Sequence, residues 1–197
     1  PFEWDDTRTF DQGKVMTAEE LEAGKDFGRY KDVDGDGIPY RTLPGVHPKA
    51  AYFTRGSGHN EKAQYSERPD DYVENMDRLS RKFETARQLV PAPVVETVAP
   101  SAKLPSGTRA GVIWFGSTGA AMVESLATLA ADGIHLDRMR IRAFPFADAV
   151  ADFVAAHDYV FVVEQNRDAQ MRMLLVNECA IDPARFISIL HYEIGRA

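Results

Sequence analysis

Ala110-Gly111-Val112-Ile113-Trp114-Phe115-Gly116-Ser117-Thr118-Gly119 decides the fold. Its first six residues are apolar or small, too few for a helix, and bounded by a glycine, so they read as a strand buried on both faces. The period then changes. Ser117 to Ala131 is alanine-rich, carries Met122, Leu126 and Leu129 at helical spacing, and stops at Gly133, which reads as a helix with a glycine cap. Toward the C-terminus the alternation repeats. Met139–Ile141 reads as a second strand, Asp148–Ala156 as a helix and Tyr159–Val163 as the most strand-like run in the chain. Ala169–Glu178 follows as a helix and Phe186–Leu190 as a last strand. Strands separated by helices of this length pair in parallel through crossovers. Residues 107–197 are therefore expected to form a small three-layer α/β domain, a mostly parallel sheet with flanking helices.

Toward the N-terminus the pattern is different. Residues 91–106 hold several prolines and no periodicity, and read as an extended linker. Before them Tyr72, Met76, Leu79, Phe83 and Leu89 recur at helical spacing, which predicts one long helix over 71–89 with Asp70 as its N-cap. Residues 1–69 are rich in Gly, Asp, Pro and Arg. Thr17-Ala18-Glu19-Glu20 has capping-box spacing, so a short helix is expected from Ala18 to about Ala23. The stretch Lys25–Asn60 is dense in turn signals and carries no clear element. Loops of that length rarely stand alone in compact domains, so this segment is expected to pack on something outside the chain. The expected organisation is thus an irregular segment and long helix over 1–90, a linker over 91–106, and the α/β domain.

With 44% apolar residues among 197, the chain can bury a proper core. The net charge is −7, and the acids are spread evenly: 18 against 14 bases in residues 1–90, and 12 against 9 in 91–197. No basic stripe exists to neutralise phosphates, which argues against nucleic acid as a partner. No apolar run is long enough to span a bilayer, and Pro1-Phe2-Glu3-Trp4-Asp5-Asp6 lacks the features of a signal peptide. Cys179 is the single cysteine, in an apolar helical stretch, and reads as a buried inert thiol. These features fit a cytoplasmic protein.

Four stretches carry candidate chemistry. Gly116-Ser117-Thr118-Gly119 opens a helix after a strand, where backbone N–H groups can cradle a phosphate. It has only Gly-x-x-Gly of the dinucleotide fingerprint, which favours the reading as a tight strand-to-helix turn over a phosphate site. Asp32, Asp34 and Asp36 alternate as in the start of a calcium loop. The twelfth position, however, is Leu43 rather than Glu, which excludes an EF-hand and leaves either a looser metal site or an acidic Asx-turn. Arg55-Gly56-Ser57-Gly58-His59-Asn60-Glu61 places a base, an imidazole and an amide on a glycine-flexed loop. It reads as a polar active-site wall or as a structural turn; His47 and His191 read as structural. Val163-Glu164-Gln165-Asn166-Arg167-Asp168 follows the central strand at its carboxyl end, where open α/β sheets place functional groups. There Glu164, Asn166 and Arg167 fit a ligand or subunit contact, or local capping of the next helix.

The stretches Lys31-Asp-Val-Asp-Gly-Asp-Gly-Ile-Pro-Tyr-Arg-Thr-Leu-Pro-Gly45, Phe53-Thr-Arg-Gly-Ser-Gly-His-Asn-Glu61, Asn75-Met-Asp-Arg-Leu-Ser-Arg-Lys-Phe-Glu-Thr-Ala86 and Val163-Glu-Gln-Asn-Arg-Asp-Ala-Gln170, with Leu190-His-Tyr192, form one set. Together they resemble the α subunit of the 2-oxoacid:ferredoxin oxidoreductases, especially the 2-oxoglutarate branch. The resemblance implies oxidative decarboxylation of a 2-oxoacid on thiamine diphosphate with Mg, giving an acyl-coenzyme A. Electrons would pass through an iron–sulfur cluster to ferredoxin. It implies that residues 1–90 are the tail of a pyrimidine-binding domain and that 107–197 resemble the C-terminal domain of transketolase. A β subunit and a second α subunit are the implied partners.

The family's Tyr-Pro-Ile-Thr-Pro segment and the core of its pyrimidine domain do not occur in this sequence. A single cysteine is also too few for a cluster, which typically needs about four thiolates. The cofactors are thus expected to be held mostly outside this chain. The chain is expected to be a C-terminal piece that assembles subunits and is inactive alone, with the Arg55–Glu61 loop nearest substrate or coenzyme A. The alternative is a stand-alone α/β module whose Gly116–Gly119 turn takes a nucleotide or other anion.

Overall fold

A computed structural model describes residues 3–54 and 56–192. The chain divides into two compact units, one within residues 1–86 and one within 87–197.

The second unit is an α/β sandwich built on strands β1 (Val94–Glu96), β2 (Ala110–Phe115), β3 (Asp137–Ile141), β4 (Tyr159–Glu164) and β5 (Phe186–Leu190). Their order is β1-β3-β2-β4-β5. All neighbours are parallel except β1, which runs antiparallel along β3. Ile113 faces Met139 on one side and Val162 on the other, so β2 is the centre of the sheet. Successive side chains of a strand point to opposite faces, and β2 is buried on both. Ile113 joins Met139, Val160, Val162 and Leu175, none with exposed surface, in the larger core. Ala110, Val112 and Trp114 form the smaller core with Met122 and Leu126. The helices account for both cores. α3 (Gly119–Ala131) covers the Trp114 face, while α4 (Asp148–Ala155) and α5 (Gln170–Cys179) cover the Ile113 face. Each fully buried aliphatic side chain contributes about 1.5–3 kcal/mol, and this double burial is why β2 and β4 read so clearly as strands.

The linker and the start of β3 differ from expectation. Residues 91–106, read as linker, contribute β1: Val94, Val95 and Glu96 pair with Arg140, Met139 and Arg138. A three-residue edge strand is too short to leave a pattern, and its pairing with β3 supplies the order. β3 also starts at Asp137 rather than Met139, because Asp137 is in register with Gly111 despite its charge.

The first unit holds less regular structure. α1 (Ala18–Glu22) is closed by its capping box, with Thr17 Oγ1 accepting from Glu20 N and Glu20 Oε2 accepting from Thr17 N. α2 (Pro69–Leu89) starts two residues earlier than expected, since proline suits the first turn of a helix. A small core of Met16, Leu21 and Ala50, backed by Phe27 and Tyr40, sits under the loops. The long irregular stretch finds its support inside the chain: it lies on α2. Arg78 Nη1 donates to Gly37 O at 3.1 Å, and Thr85 Oγ1 donates to Asp36 O at 2.6 Å. Asn75 Nδ2 donates to His59 O at 2.7 Å. Gly37 is at φ +76°, and a Cβ there would stand 2.4 Å from Lys82 N and 2.6 Å from Arg78 O. Only glycine lets the loop lie this close to the helix. α2 leaves Tyr72, Val73, Met76, Phe83 and Leu89 exposed. No helix among the described residues is long and apolar enough to cross a membrane.

Candidate functional site

In the second unit β2 is followed in space by β3 on one side and β4 on the other, so the connections diverge from the carboxyl ends of β2 and β4. Such a switch point is where open α/β sheets form a ligand crevice. Two stretches singled out in the sequence, Gly116–Gly119 and Val163–Asp168, leave the sheet there.

The β4 side is filled from within. Glu164 is completely buried, and its carboxylate accepts from Met171 N at 2.7 Å, Arg172 N at 3.0 Å and Asn166 Nδ2 at 2.7 Å. The acid thus takes the free N–H groups of the first turn of α5, where the helix dipole also favours it. Asn166 Oδ1 accepts from Asp168 N and Gln170 N, closing the turn. Arg167 reaches outward and pairs with its neighbour Asp168 at 2.7 Å. Glu164 and Asn166 therefore serve the fold of this turn directly, and Arg167 is the exposed member of the trio.

On the β2 side Gly116–Thr118 forms a 3-10 turn that runs into α3, and no side chain caps that helix. Arg140, which sequence reasoning passed over, is the register partner of Trp114 and approaches Gly116 O at 3.5 Å. The opposite end of the sheet carries a second polar cluster. Asp137 accepts from Val98 N at 2.8 Å, Arg109 Nη2 at 2.6 Å and His157 Nε2 at 2.8 Å. Burial pushes the Asp137 pKa up, but these donors outweigh it and hold the carboxyl below its usual range.

In the first unit, ligand oxygens of Asp32, Asp34 and Asp36 all lie within 4.8 Å of one another. They are already served by cations of the chain. Lys14 Nζ lies 2.6 Å from Asp34 and 2.7 Å from Asp36, and Arg81 Nε lies 3.0 Å from Asp32. Asp32 Oδ1 also accepts from Gly35 N and Gly37 N, an Asx-type turn. Burial acts to lower the Lys14 pKa, yet Asp34 and Asp36 outweigh it and raise it. A metal ion can take this place only by displacing the ammonium.

Arg55 lies outside the described residues. Its neighbours form a small hairpin in which Asn60 Oδ1 accepts from Lys62 N and Gln64 N, and Ser66 N donates to Gly58 O. A Cβ on Gly58 would meet Ser66 O at 2.5 Å, so this glycine sets the closeness of the two arms. The His59 ring is half-buried against Tyr30, with centroids 4.1 Å apart, and its Nδ1 lies 3.1 Å from Ser57 O. A cavity of about 240 Å³ opens beside it, lined by Gly56, His59, Tyr72 and Met76 among others. His59 lines this cavity, whereas the Asn60 side chain turns into the hairpin; Glu164, Asn166 and Arg167 belong to the other unit. Cys179 is half-buried at the end of α5, and burial raises its thiol pKa. A lone protonated thiol does not fit an iron–sulfur cluster.

No family model matches this chain, and no curated protein matches it. A similar solved structure is a 2-oxoglutarate:ferredoxin oxidoreductase from Magnetococcus marinus with 2-oxoglutarate, coenzyme A and succinyl-CoA bound. The likeness covers 93% of this chain with a TM-score of 0.72 and 22% sequence identity. The chain spans 30% of the length of that protein, and at this identity the likeness establishes the fold.

Proposed function

We propose that this chain is a C-terminal portion of the α subunit of a thiamine diphosphate-dependent 2-oxoacid:ferredoxin oxidoreductase, with 2-oxoglutarate as its oxoacid. The observation that carries this reading is the fold likeness over 93% of the chain, running through both of its units. The motif stretches between Lys31 and Tyr192 support it independently. In the whole enzyme thiamine diphosphate supplies the electron sink for decarboxylation. It is held with its Mg and the iron–sulfur cluster mostly outside these residues, and ferredoxin takes the electrons.

This chain's own part is structural and positional. Residues 107–197 act in assembly with the β subunit and a second α subunit, as a domain like the C-terminal domain of transketolase. Residues 1–90 are the tail of the pyrimidine-binding domain, and 91–106 join the two. The exposed Tyr72, Val73, Met76, Phe83 and Leu89 of α2 are the kind of surface a neighbouring subunit or domain covers. The loop with Arg55, His59 and Asn60 approaches substrate or coenzyme A. In the intact enzyme His59→Ala should raise KM for one of them about tenfold, and unchanged steady-state kinetics would remove the loop from the reading.

The deciding measurement is the intact mass and co-purification of this polypeptide from its source cells. The expected species is several times 21.9 kDa and travels with a second subunit showing 2-oxoglutarate-dependent dye reduction. The isolated 197-residue chain should show no such reduction. A native species of this mass with no partner would overturn the proposal.

A further inference from the structure

A cavity of about 380 Å³ lies within residues 1–86, between Gln12–Lys14, Ile38–Arg41 and the α2 face that carries Arg78 and Lys82. Its walls hold Lys14, Arg29, Arg41, Arg78 and Lys82 and no acidic side chain, although the chain as a whole carries a net charge of −7. Lys14 is neutralised by Asp34 and Asp36. The other four have no carboxylate within ion-pair distance among the described residues.

Their remaining contacts are weak substitutes. Arg78 gives one N–H to Gly37 O, and Arg41 gives one to Gln12 Oε1 at 2.7 Å. Arg29 lies over the rings of Tyr30 and Tyr52 at 5.4 and 5.7 Å. The Nε groups of Arg29, Arg41 and Arg78 are buried with no hydrogen-bond partner. Arg78 is only 6% exposed, and its pKa is pushed down first by burial and then by Arg29. A buried guanidinium beside another cation, with unused donors, is strongly unfavourable unless an anion completes it.

The donors define the anion. Guanidinium forks match the oxygens of phosphate and carboxylate groups. Three forks and an ammonium around one space offer more donors than a single carboxylate can accept. The volume exceeds that of one phosphate and falls in the range of small-molecule sites. We infer that this cavity binds an organic diphosphate, its oxygens taken by Arg29, Arg41, Arg78 and Lys82. The inference stands on the cavity alone and does not depend on the oxidoreductase reading.

The test is calorimetric titration of inorganic pyrophosphate and of ADP into the protein as isolated, with any co-purifying subunits, and into its Arg29→Gln, Lys82→Gln and doubly substituted forms. Both probes should bind, each single substitution should weaken them about tenfold, and the double should weaken them further. Lys82 is exposed and carries no contact that the fold needs, so its substitution reads binding without a folding defect. Arg78→Lys keeps the charge but not the fork and should also weaken binding. Absence of binding, affinity unchanged in the double variant, or tighter binding of an acidic peptide than of pyrophosphate would overturn the assignment. Absence of oxoacid-dependent activity from the unsubstituted complex, with diphosphate binding intact, would instead count against the oxidoreductase reading only.

Discussion

Replacing Glu164 by Gln removes one of the two acceptor oxygens that three part-buried donors share. The amide would set its own N–H₂ against Met171 N, Arg172 N or Asn166 Nδ2. We expect Glu164→Gln to lower stability by about 2–3 kcal/mol in urea unfolding; unchanged stability would mean that the acid does not anchor α5. Asp137 gives a pH dependence with a definite sign. Its folded pKa lies below the unfolded value, so its stabilising contribution is complete above about pH 4 and is lost as pH falls through the folded pKa. Asp137→Asn should therefore flatten the acid limb of a stability–pH curve and lower its neutral plateau. In the sequence Glu164 was visible as an acid at a strand end, but its two backbone donors lie seven and eight residues further on and meet it only once α5 has docked. Asp137 looked unremarkable in an acidic chain because Arg109 and His157 are 28 and 20 positions away.

At the scale of elements, α2 serves as a bench for the loops that precede it. Gly37→Ala would place a methyl group against Lys82 N in a backbone conformation that L residues disfavour. We expect it to cost about 2 kcal/mol or more and to open residues 25–45 to limited proteolysis; an unaltered cleavage pattern would contradict the close approach. The helix itself was readable from Tyr72, Met76, Leu79 and Phe83. Its role was not, because polar contacts such as Thr85 to Asp36 O leave no periodic trace. The same limit hid β1, whose order comes from its partner β3. It also hid the basic cavity, whose cations are scattered from Arg29 to Lys82 and gather only in three dimensions. The Asp32–Asp36 loop was legible as an acidic cluster, whereas the Lys14 ammonium that occupies it comes from 20 positions earlier.

For the whole molecule, double burial made the α/β unit legible: β2 and β4 show continuous apolar runs because helices cover both faces. The motif stretches carried the functional expectation further than any periodicity could, and the inactivity of the isolated chain is the prediction that belongs at this scale. The strand order has a further consequence, for synthesis on the ribosome. β2 precedes both of its neighbours, and the second of them, β4, is complete only at Glu164. Translation proceeds at about 5–20 residues per second, so the apolar run Ala110–Phe115 waits for seconds with one edge unpaired. During that interval the nascent chain, rather than the finished protein, presents the surface most prone to stick to others.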